Sequence, residues 1–418
     1  MQRDFIGYVL DSGLGHDKVW LGATGSLLVV SPELVKTVLI TRVDSFRKSL
    51  VTRLVTRDYV QGGVILATGE EHARQRRLLQ PALSALAVKL RAEDILGRAR
   101  AEVATWESGS VVDIDTSMAN LALSVVSNAL FGVSTADKGD LVEAVRSFEL
   151  TLRERLEGIP WTGWDPGLGR DRLQHSVRRA HHELTLNIAA RRERGDPGAD
   201  LLGHLLTAME GDHPLEEAEL LDHCVTLFFA GHGTTSRALA WTLAVLARHP
   251  DWWDRAAAEA SGKSAPEAGS DSPFPLLDRI LLESMRLYPP AWLLDREVIE
   301  PVRLGDDEIP VGTTVLCCAI VTQRDPRYWS DPERFDPDRW LPGGEATRVH
   351  RLAYYPFSAG VRTCPGRAFA LLEARLILAE LLRTVRLSHE PVDRPLRLRT
   401  GVTMSCWGGM PMRVERLD

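Results

Sequence analysis

A cysteine near the C-terminus stands directly before a long amphipathic stretch. Cys364 ends the run FSAGVRTC at residues 357–364, and the apolar periodicity of residues 368–385 predicts a helix after it. The N-terminal end of a helix stabilises a thiolate through its macrodipole and its free backbone N–H groups. Such a chain can offer one anionic sulfur ligand to a metal and leave the opposite face of the metal open. An isolated cysteine is more often a buried core residue, so its neighbours decide between the two interpretations.

The neighbours of Cys364 favour a ligand. Gly360 and Gly366 permit a close backbone approach, and Arg362 brings a positive charge beside the thiolate. With Phe357 they match the pattern Phe-x-x-Gly-x-Arg-x-Cys-x-Gly at every defined position. On this motif the chain resembles the cytochromes P450. The resemblance implies haem b as the cofactor, Cys364 as its metal ligand and Phe357 as an aromatic packed on the thiolate side.

A second part of the resemblance concerns the haem propionates. His72 and Arg76 are four residues apart on a helix that is predicted to begin near Gly69, so they share a face. By themselves they could be two solvated polar residues. The resemblance implies that both bind propionates, and it adds Arg296 and Arg362 as further donors to the same carboxylates.

Residues 227–235 have the pattern of the middle of a helix. Two internal glycines, Gly231 and Gly233, cost about 1 kcal/mol each relative to alanine, so they require a reason. The resemblance supplies one, a widened turn where oxygen sits above the iron. It also implies that the hydroxyl of Thr234 helps to deliver protons there. The alternative is a threonine that only bonds back to its own helix.

The chain departs from the family beside this threonine. Gly233 occupies the position where the family normally has Asp or Glu, and His232 precedes it. Three explanations stay open. Water ordered by Thr234 could carry protons, the substrate could supply a polar group, or the reaction could need less of a relay. Oxidative coupling and peroxide-driven turnover are reactions of the last kind.

Glu283 and Arg286 are three residues apart on one predicted helix face. Alone, such a pair is usually a modest surface salt bridge. The resemblance adds Arg339 from the segment FDPDRW and implies a structural trio that fixes the loop holding the cysteine segment. The chain also has Gln323 where the family commonly has His, and we assign no mechanistic role to this difference.

The composition limits the kinds of binding partner and the compartment that can be expected. The net charge of −7 gives no reason to expect nucleic acid, and five cysteines without a framework spacing indicate a reducing compartment. Cys317 and Cys318 are expected to lie on two faces of a buried strand. No segment reaches transmembrane length, so we expect a cytoplasmic monomer that does not bind a membrane. The family usually has further residues before the first strand, and a shortened N-terminus stays an open alternative.

The coarse secondary-structure pattern is mainly α with a small β portion. A hairpin is predicted over 19–30, a helix capped by Ser31 follows, and strand-like runs occupy 298–321 and 396–414. Helical patterns fill 69–79, 85–107, 116–131, 138–157, 171–195, 199–211, 215–248 and 276–287. We therefore expect residues 1–418 to form a single domain with the cytochrome P450 fold.

The leading hypothesis is a haem-thiolate monooxygenase of the soluble bacterial kind, acting in secondary metabolism. No flavin or nicotinamide signature is present, so electrons are expected from a ferredoxin and its reductase. The expected docking face comprises Arg74, Arg77, Lys89 and Arg367, with solvated helix charges as the alternative. The expected pocket for a hydrophobic or aromatic substrate comprises Phe229, Ala230, Trp292, Leu293, Leu294 and Val402, with Trp161 and Trp164 nearby. A haem-binding protein without turnover is the alternative from a different class.

Overall fold

The computed structural model describes residues 5–22, 25–56, 63–81, 83, 91–132, 147, 150, 170–195, 198, 200–208, 216–262 and 272–417. The helices are α1 (Phe5–Gly13), α2 (Pro32–Lys36), α3 (Leu50–Thr56), α4 (Gly63–Leu66), α5 (Gly69–Leu79), α6 (Ala92–Ala104), α7 (Ile114–Phe131), α8 (Arg170–Arg194), α9 (Leu201–Ala208), α10 (Glu217–Leu246), α11 (Pro250–Ala260), α12 (Pro275–Leu287), α13 (Ala319–Thr322) and α14 (Arg367–Thr384). The strands are β1 (Lys18–Leu21), β2 (Ser26–Val29), β3 (Phe46–Arg47), β4 (Val111–Asp113), β5 (Leu293–Val298), β6 (Val302–Leu304), β7 (Asp307–Ile309), β8 (Thr314–Cys318), β9 (Val385–His389), β10 (Leu398–Arg399), β11 (Ser405–Cys406) and β12 (Pro411–Arg416). The mainly α class with a small β portion is confirmed.

Local signals explain the first elements. β1 and β2 pair as the predicted antiparallel hairpin. The Ser31 hydroxyl accepts a hydrogen bond from the Leu34 N–H (3.3 Å) at the start of α2, with Pro32 in the first turn. A π-helical turn over Thr37–Thr41 continues this helix. Of the predicted helix over 138–157, only residues 147 and 150 belong to the described part of the chain.

The long helix α10 organises the helical part of the fold. Its C-terminal half packs into a core shared with α6, α7, α11, α12 and α14, and its N-terminal half packs into a second core with α7, α8 and α9. None of the described helices is both long and apolar enough to cross a bilayer. Because α10 belongs to both cores, its middle is held at a fixed place between them.

The main sheet has the strand order β1-β2-β8-β5-β3, in which only β2 and β8 run parallel. Its two faces bury separate apolar clusters. Cys317 and Cys318 are fully buried neighbours on β8, as predicted. A three-stranded sheet, β4-β12-β9, and the pairs β6-β7 and β10-β11 complete the β portion. The main sheet positions Arg296, which lies on β5.

Candidate active site

The segment around Cys364 is a tight loop against the start of α14. The Cys364 N–H donates to the carbonyl of Phe357 (2.9 Å), and α14 begins three residues after the cysteine. Gly360 has φ +66°, and a Cβ there would lie 2.4 Å from the carbonyl oxygen of Leu39. No other residue type fits that position without moving the backbone. The predicted loop before a helix is confirmed.

Two opposing influences act on the Cys364 thiol. Burial raises its pKa, while the N–H of Gly366 and the positive charges of Arg76 and Arg367 lower it. Arg367 also lies over the Phe357 ring, with its guanidinium carbon 5.7 Å from the ring centroid. The position of Arg362 beside the thiolate stays a prediction. Its guanidinium donates hydrogen bonds to the carbonyls of Ile65 (3.3 Å) and Ala67 (2.5 Å) at the end of α4.

Arg362 joins a cluster of basic side chains that are buried or half-buried. His72 and Arg76 lie one turn apart on α5, as predicted, and the Arg76 guanidinium donates to the Thr363 carbonyl. Burial lowers the pKa of His72 to about 4, with the charges of Arg362 and Arg76 acting in the same direction. Burial, followed by the charge of Arg296, lowers the pKa of Arg362 to about 10. The structure therefore brings the four predicted propionate donors together, although like charges repel one another.

The cluster has the chemistry of a site for a doubly anionic group. Arg296 is 3% exposed, and within the described part of the chain its Nε has no hydrogen-bond partner. The carboxylate that offsets the cluster belongs to Asp295, whose Oδ2 already accepts from the Ser49 N–H (3.1 Å) and the Thr52 hydroxyl (2.7 Å). Buried cations without full compensation are costly, so the arrangement fits the two carboxylates of a haem.

Sequence reasoning missed one member of this cluster, Lys48. It follows β3, one residue beyond the pair formed by Arg47 and Glu297. The charges of Arg296 and Arg362 act on it. Lys48 could be placed in the cluster only from the pairing of β3 with β5. This pairing joins segments about 250 residues apart and has no local sequence pattern.

One face of α10 opens in the middle of a largely buried helix. Ala230 is exposed, Phe229 and Thr234 are half-buried, and Gly233 is buried. The Thr234 hydroxyl donates to the carbonyl of Ala230 (2.9 Å). Because residues four apart share a helix face, Ala230 and Thr234 point the same way. This opening is the place where α10 can meet a substrate.

His232 does not join that face. It lies two positions before Thr234, which places the two side chains on opposite sides of the helix. His232 is buried, and its Nδ1 lies 3.0 Å from the Phe228 carbonyl. The expected widened turn was also wrong, since α10 is α-helical from Glu217 to Leu246. A Cβ on Gly231 would lie 3.1 Å from Val126, so this glycine permits close packing of α10 on α7.

The predicted trio is assembled around a fully buried carboxylate. Arg286 binds Glu283 through two hydrogen bonds, and the Arg339 Nε lies 3.3 Å from Glu283 Oε1. The Arg286 Nη1 donates to the carbonyls of Gln323 and Pro332, and its Nη2 also donates to the carbonyl of Arg334. The trio therefore ties α12 to the segment that leads to the cysteine loop.

Gln323 has a structural role that its sequence context did not indicate. Its Nε2 donates to the carbonyls of Met285 and Arg286 (3.0 Å each), and its Oε1 accepts from the Tyr355 N–H (3.1 Å). An amide side chain can cap the end of α12 and hold the irregular segment around Tyr355 at once because it carries both donors and acceptors.

The predicted pocket residues separate into two groups. Leu294 alternates with Arg296 on one face of β5, whereas Leu293 belongs to the apolar cluster on the opposite face. The Trp292 side chain is 3% exposed in that same cluster, and its indole N–H donates to the carbonyl of Gly401 (3.1 Å). Val402 is exposed. Trp161 and Trp164 lie outside the described residues.

The predicted docking face is only partly available. Arg77 and Arg367 are exposed. Arg74, however, is engaged by Glu71 and by Glu219 at the start of α10, so its charge is compensated within the protein. Lys89 lies outside the described residues.

Comparisons with known proteins agree with this geometry. A model of the cytochrome P450 family matches residues 17–406. Cyclooctat-9-en-7-ol 5-monooxygenase from Streptomyces melanosporofaciens is 33% identical over 90% of this chain and 83% of its own length. Pentalenene oxygenase from Streptomyces avermitilis is 32% identical over 92% of this chain and 87% of its own.

Solved structures show the same relationship. The cytochrome P450DA haem domain superposes with a TM-score of 0.80 at 28% identity, covering 94% of this chain and 88% of that one. A six-coordinated cytochrome P450 from Thermus thermophilus superposes with a TM-score of 0.77 at 27% identity, covering 99% of this chain and 98% of that one. The chain belongs to the cytochrome P450 family and is a haem-dependent monooxygenase.

Proposed function

We propose that the enzyme oxidises a hydrophobic terpenoid small molecule in secondary metabolism. The observation that carries the proposal is the pair of relatives at 33% and 32% identity, whose names give cyclooctat-9-en-7-ol and pentalenene as the compounds they oxidise. The open face of α10 supports it, because Ala230 and Phe229 present apolar surface there and Leu294 lies on the Arg296 face of β5.

The chain's own residues divide the work of holding the cofactor. Cys364 is the proposed iron ligand, with the Gly366 N–H, Arg76 and Arg367 favouring its anionic form. His72, Arg296 and Arg362 are proposed to bind the haem carboxylates. The bound haem supplies oxygen activation, and thiolate ligation favours O–O cleavage.

Thr234 is the proposed proton-handling residue. Its hydroxyl now donates to the Ala230 carbonyl, and rotation about one bond would let Oγ accept a proton from water and pass one on. Gly233 offers no acid of its own. His232 lies on the opposite side of α10, so we assign it no part in this transfer.

Oxidative coupling of an activated substrate is the second candidate. The observation that favours it is Gly233, because a reaction that needs less proton delivery tolerates the loss of the usual carboxyl. Electrons are proposed to come from a separate ferredoxin and its reductase, with Arg77 and Arg367 on the docking surface.

Titration of the ferric enzyme tests the substrate class. A substrate that displaces water from the bound haem would change its spin state and shift the Soret band. We expect saturable shifts with terpene hydrocarbons and monohydroxylated terpenes, and none with fatty acids or aromatic peptides. Saturable shifts confined to fatty acids or aromatic peptides would overturn the terpenoid proposal.

A further inference from the structure

One carboxylate links α5 to α10. Glu219 lies in the first turn of α10, and its Oε1 accepts a hydrogen bond from the Nη2 of Arg74 on α5. The same Nη2 donates to Oε1 of Glu71 (2.7 Å), and the Arg74 Nε donates to Oε2 of Glu71 (3.0 Å). Glu71 and Arg74 are three residues apart, so their pairing stays within α5. Within this group of side chains, the ion pair of Arg74 with Glu219 is therefore the contact that joins the two helices.

A histidine approaches the same carboxylate oxygen. His223 lies one turn after Glu219 on α10, and its Nε2 is 3.6 Å from Oε1 of Glu219. The His223 side chain is 0% exposed, and among the described residues neither ring nitrogen has a hydrogen-bond partner. Buried polar side chains nearly always have such a partner. A small movement of the ring brings Nε2 within hydrogen-bond distance of Oε1, so Glu219 has a second partner available on its own helix.

The charge of the His223 ring decides which partner holds Glu219. Burial is the main influence on the ring, and it lowers its pKa below the ordinary value of about 6.5, so the ring is neutral in neutral solution. The carboxylates around the ring favour its protonated form, whereas Arg74 opposes it. A charged ring and Arg74 compete for Oε1 of Glu219, because like charges at one oxygen repel each other. The charged and titratable groups nearby lie on three helices: Glu219 and Asp222 on α10, Glu71 and Arg74 on α5, and His181, which faces Asp222, on α8.

We propose that His223 is a pH-sensitive switch that exchanges the partner of Glu219 and thereby releases α5 from α10. With a neutral ring, Arg74 holds Glu219 and joins the two helices. With a charged ring, Nε2 of His223 donates to Oε1 of Glu219, and Arg74 keeps only Glu71. Both ion pairs then lie within a single helix, one with i, i+3 and one with i, i+4 spacing, so the link between the helices is lost.

The switch acts on the helix that carries part of the basic cluster around Arg362. His72 and Arg76 lie on α5, within one turn of Arg74. Acidification therefore loosens α5 where it supplies two of the side chains in that cluster. This inference depends neither on the proposed substrate nor on the reaction.

The test measures amide hydrogen exchange of α5 in the haem-loaded protein at about pH 7.5 and about pH 5, where ordinary carboxyl groups stay ionised. Rates are corrected for the intrinsic effect of pH and compared with those of α14. The exposed histidine of α8 provides the control His182→Gln. In wild type and in this control, α5 should exchange roughly two- to fivefold faster at the lower pH, as expected for the loss of a partly exposed ion pair. His223→Gln should stay slow at both pH values, because its amide takes up no proton. Glu219→Gln should be fast at both, because the link to Arg74 is absent.

Equal acceleration of α5 in wild type and His223→Gln would overturn the inference, as would unchanged exchange in wild type between the two pH values. If His223→Gln does not fold, the comparison of wild type with Glu219→Gln still decides. The two proteins should differ at the higher pH and agree at the lower one. Slow exchange of α5 in Glu219→Gln at the higher pH would show that Glu219 does not join the helices, and the switch would then be refuted.

Discussion

Glu283 and Arg286 form a fully buried ion pair with two parallel hydrogen bonds. The Arg286 Nε lies 2.9 Å from Oε2 of Glu283, and its Nη2 lies 2.8 Å from Oε1. Both side chains are 0% exposed. Two further donors, the Asp336 N–H (3.1 Å) and the Trp340 indole N–H (3.0 Å), also donate hydrogen bonds to the Glu283 carboxylate. This carboxylate is therefore the point at which α12 holds the segment before the cysteine loop.

Replacement of Glu283 by Gln should be strongly destabilising. It leaves the buried charge of Arg286 without its partner, which typically costs about 3–5 kcal/mol. Chemical unfolding of the loaded protein measures this. The matched control is Glu217→Gln, because Glu217 pairs with Arg192 while the two side chains are 49% and 50% exposed, and its loss should cost about 1 kcal/mol or less. Similar losses of unfolding free energy in both variants would contradict the structural role of Glu283.

Replacement of Gly360 by Ala should disrupt the cysteine loop. The new Cβ would meet the Leu39 carbonyl oxygen at 2.4 Å and would also occupy a left-handed backbone conformation. Gly343→Ala is the control, since Gly343 has φ +74° but open space around it, which isolates a conformational cost of about 1 kcal/mol. We expect Gly360→Ala to lose several times more stability than the control and to bind haem less tightly. Equal losses in unfolding free energy would show that the clash with Leu39 has no consequence.

Glu373 should make the protein less stable as the pH rises. Its side chain is fully buried, and among the described residues neither oxygen has a hydrogen-bond partner. Burial raises its pKa well above the ordinary value. The folded protein thus keeps a proton that the unfolded chain releases above about pH 4.3, so this contribution to stability is lost as the pH rises towards the folded-state pKa.

Glu373→Gln replaces this buried carboxyl by a group that does not titrate, which removes the loss of stability at higher pH. We expect it to raise the free energy of unfolding by about 1–3 kcal/mol at pH 7, with a smaller gain at about pH 5. The exposed variant Glu107→Gln should change little at either pH. A gain for Glu373→Gln that does not depend on pH would contradict the protonated state of this carboxyl.

Restoring a carboxyl beside Thr234 tests the meaning of Gly233. In Gly233→Glu we expect a larger share of the reducing equivalents to appear in product and a smaller share in released hydrogen peroxide, because an acid would supply protons at the open face of α10. Gly97→Glu is the control, because Gly97 is an exposed glycine on α6 where an added Cβ would meet no atom within 4 Å. An unchanged ratio of product to peroxide would show that the missing acid has no bearing on the reaction.

The sequence predicted those parts of the site that depend on short motifs. The cysteine loop, the shared face of His72 and Arg76, and the Glu283 trio were all found by spacing and resemblance. Helical spacing also places His232 and Thr234 on opposite sides of α10, although the motif had grouped them. Local patterns could have corrected that grouping.

Other features depend on contacts between distant segments. Lys48 joins the cationic cluster because β3 pairs with β5, and Arg362 finds hydrogen-bond acceptors at the end of α4, almost 300 residues earlier in the chain. The Trp292 indole N–H likewise finds its acceptor on Gly401, 109 residues further along the chain. Such pairings are formed by the whole fold, so a local pattern does not contain them.

The most direct test of the central claim is the spectrum of the reduced protein with carbon monoxide, for wild type and Cys364→Ser. If Cys364 is the thiolate ligand, wild type should show the long-wavelength Soret band of a thiolate-ligated haem, and Cys364→Ser should lack it. The same long-wavelength band in both proteins would contradict the assignment of Cys364, and with it the account of the site.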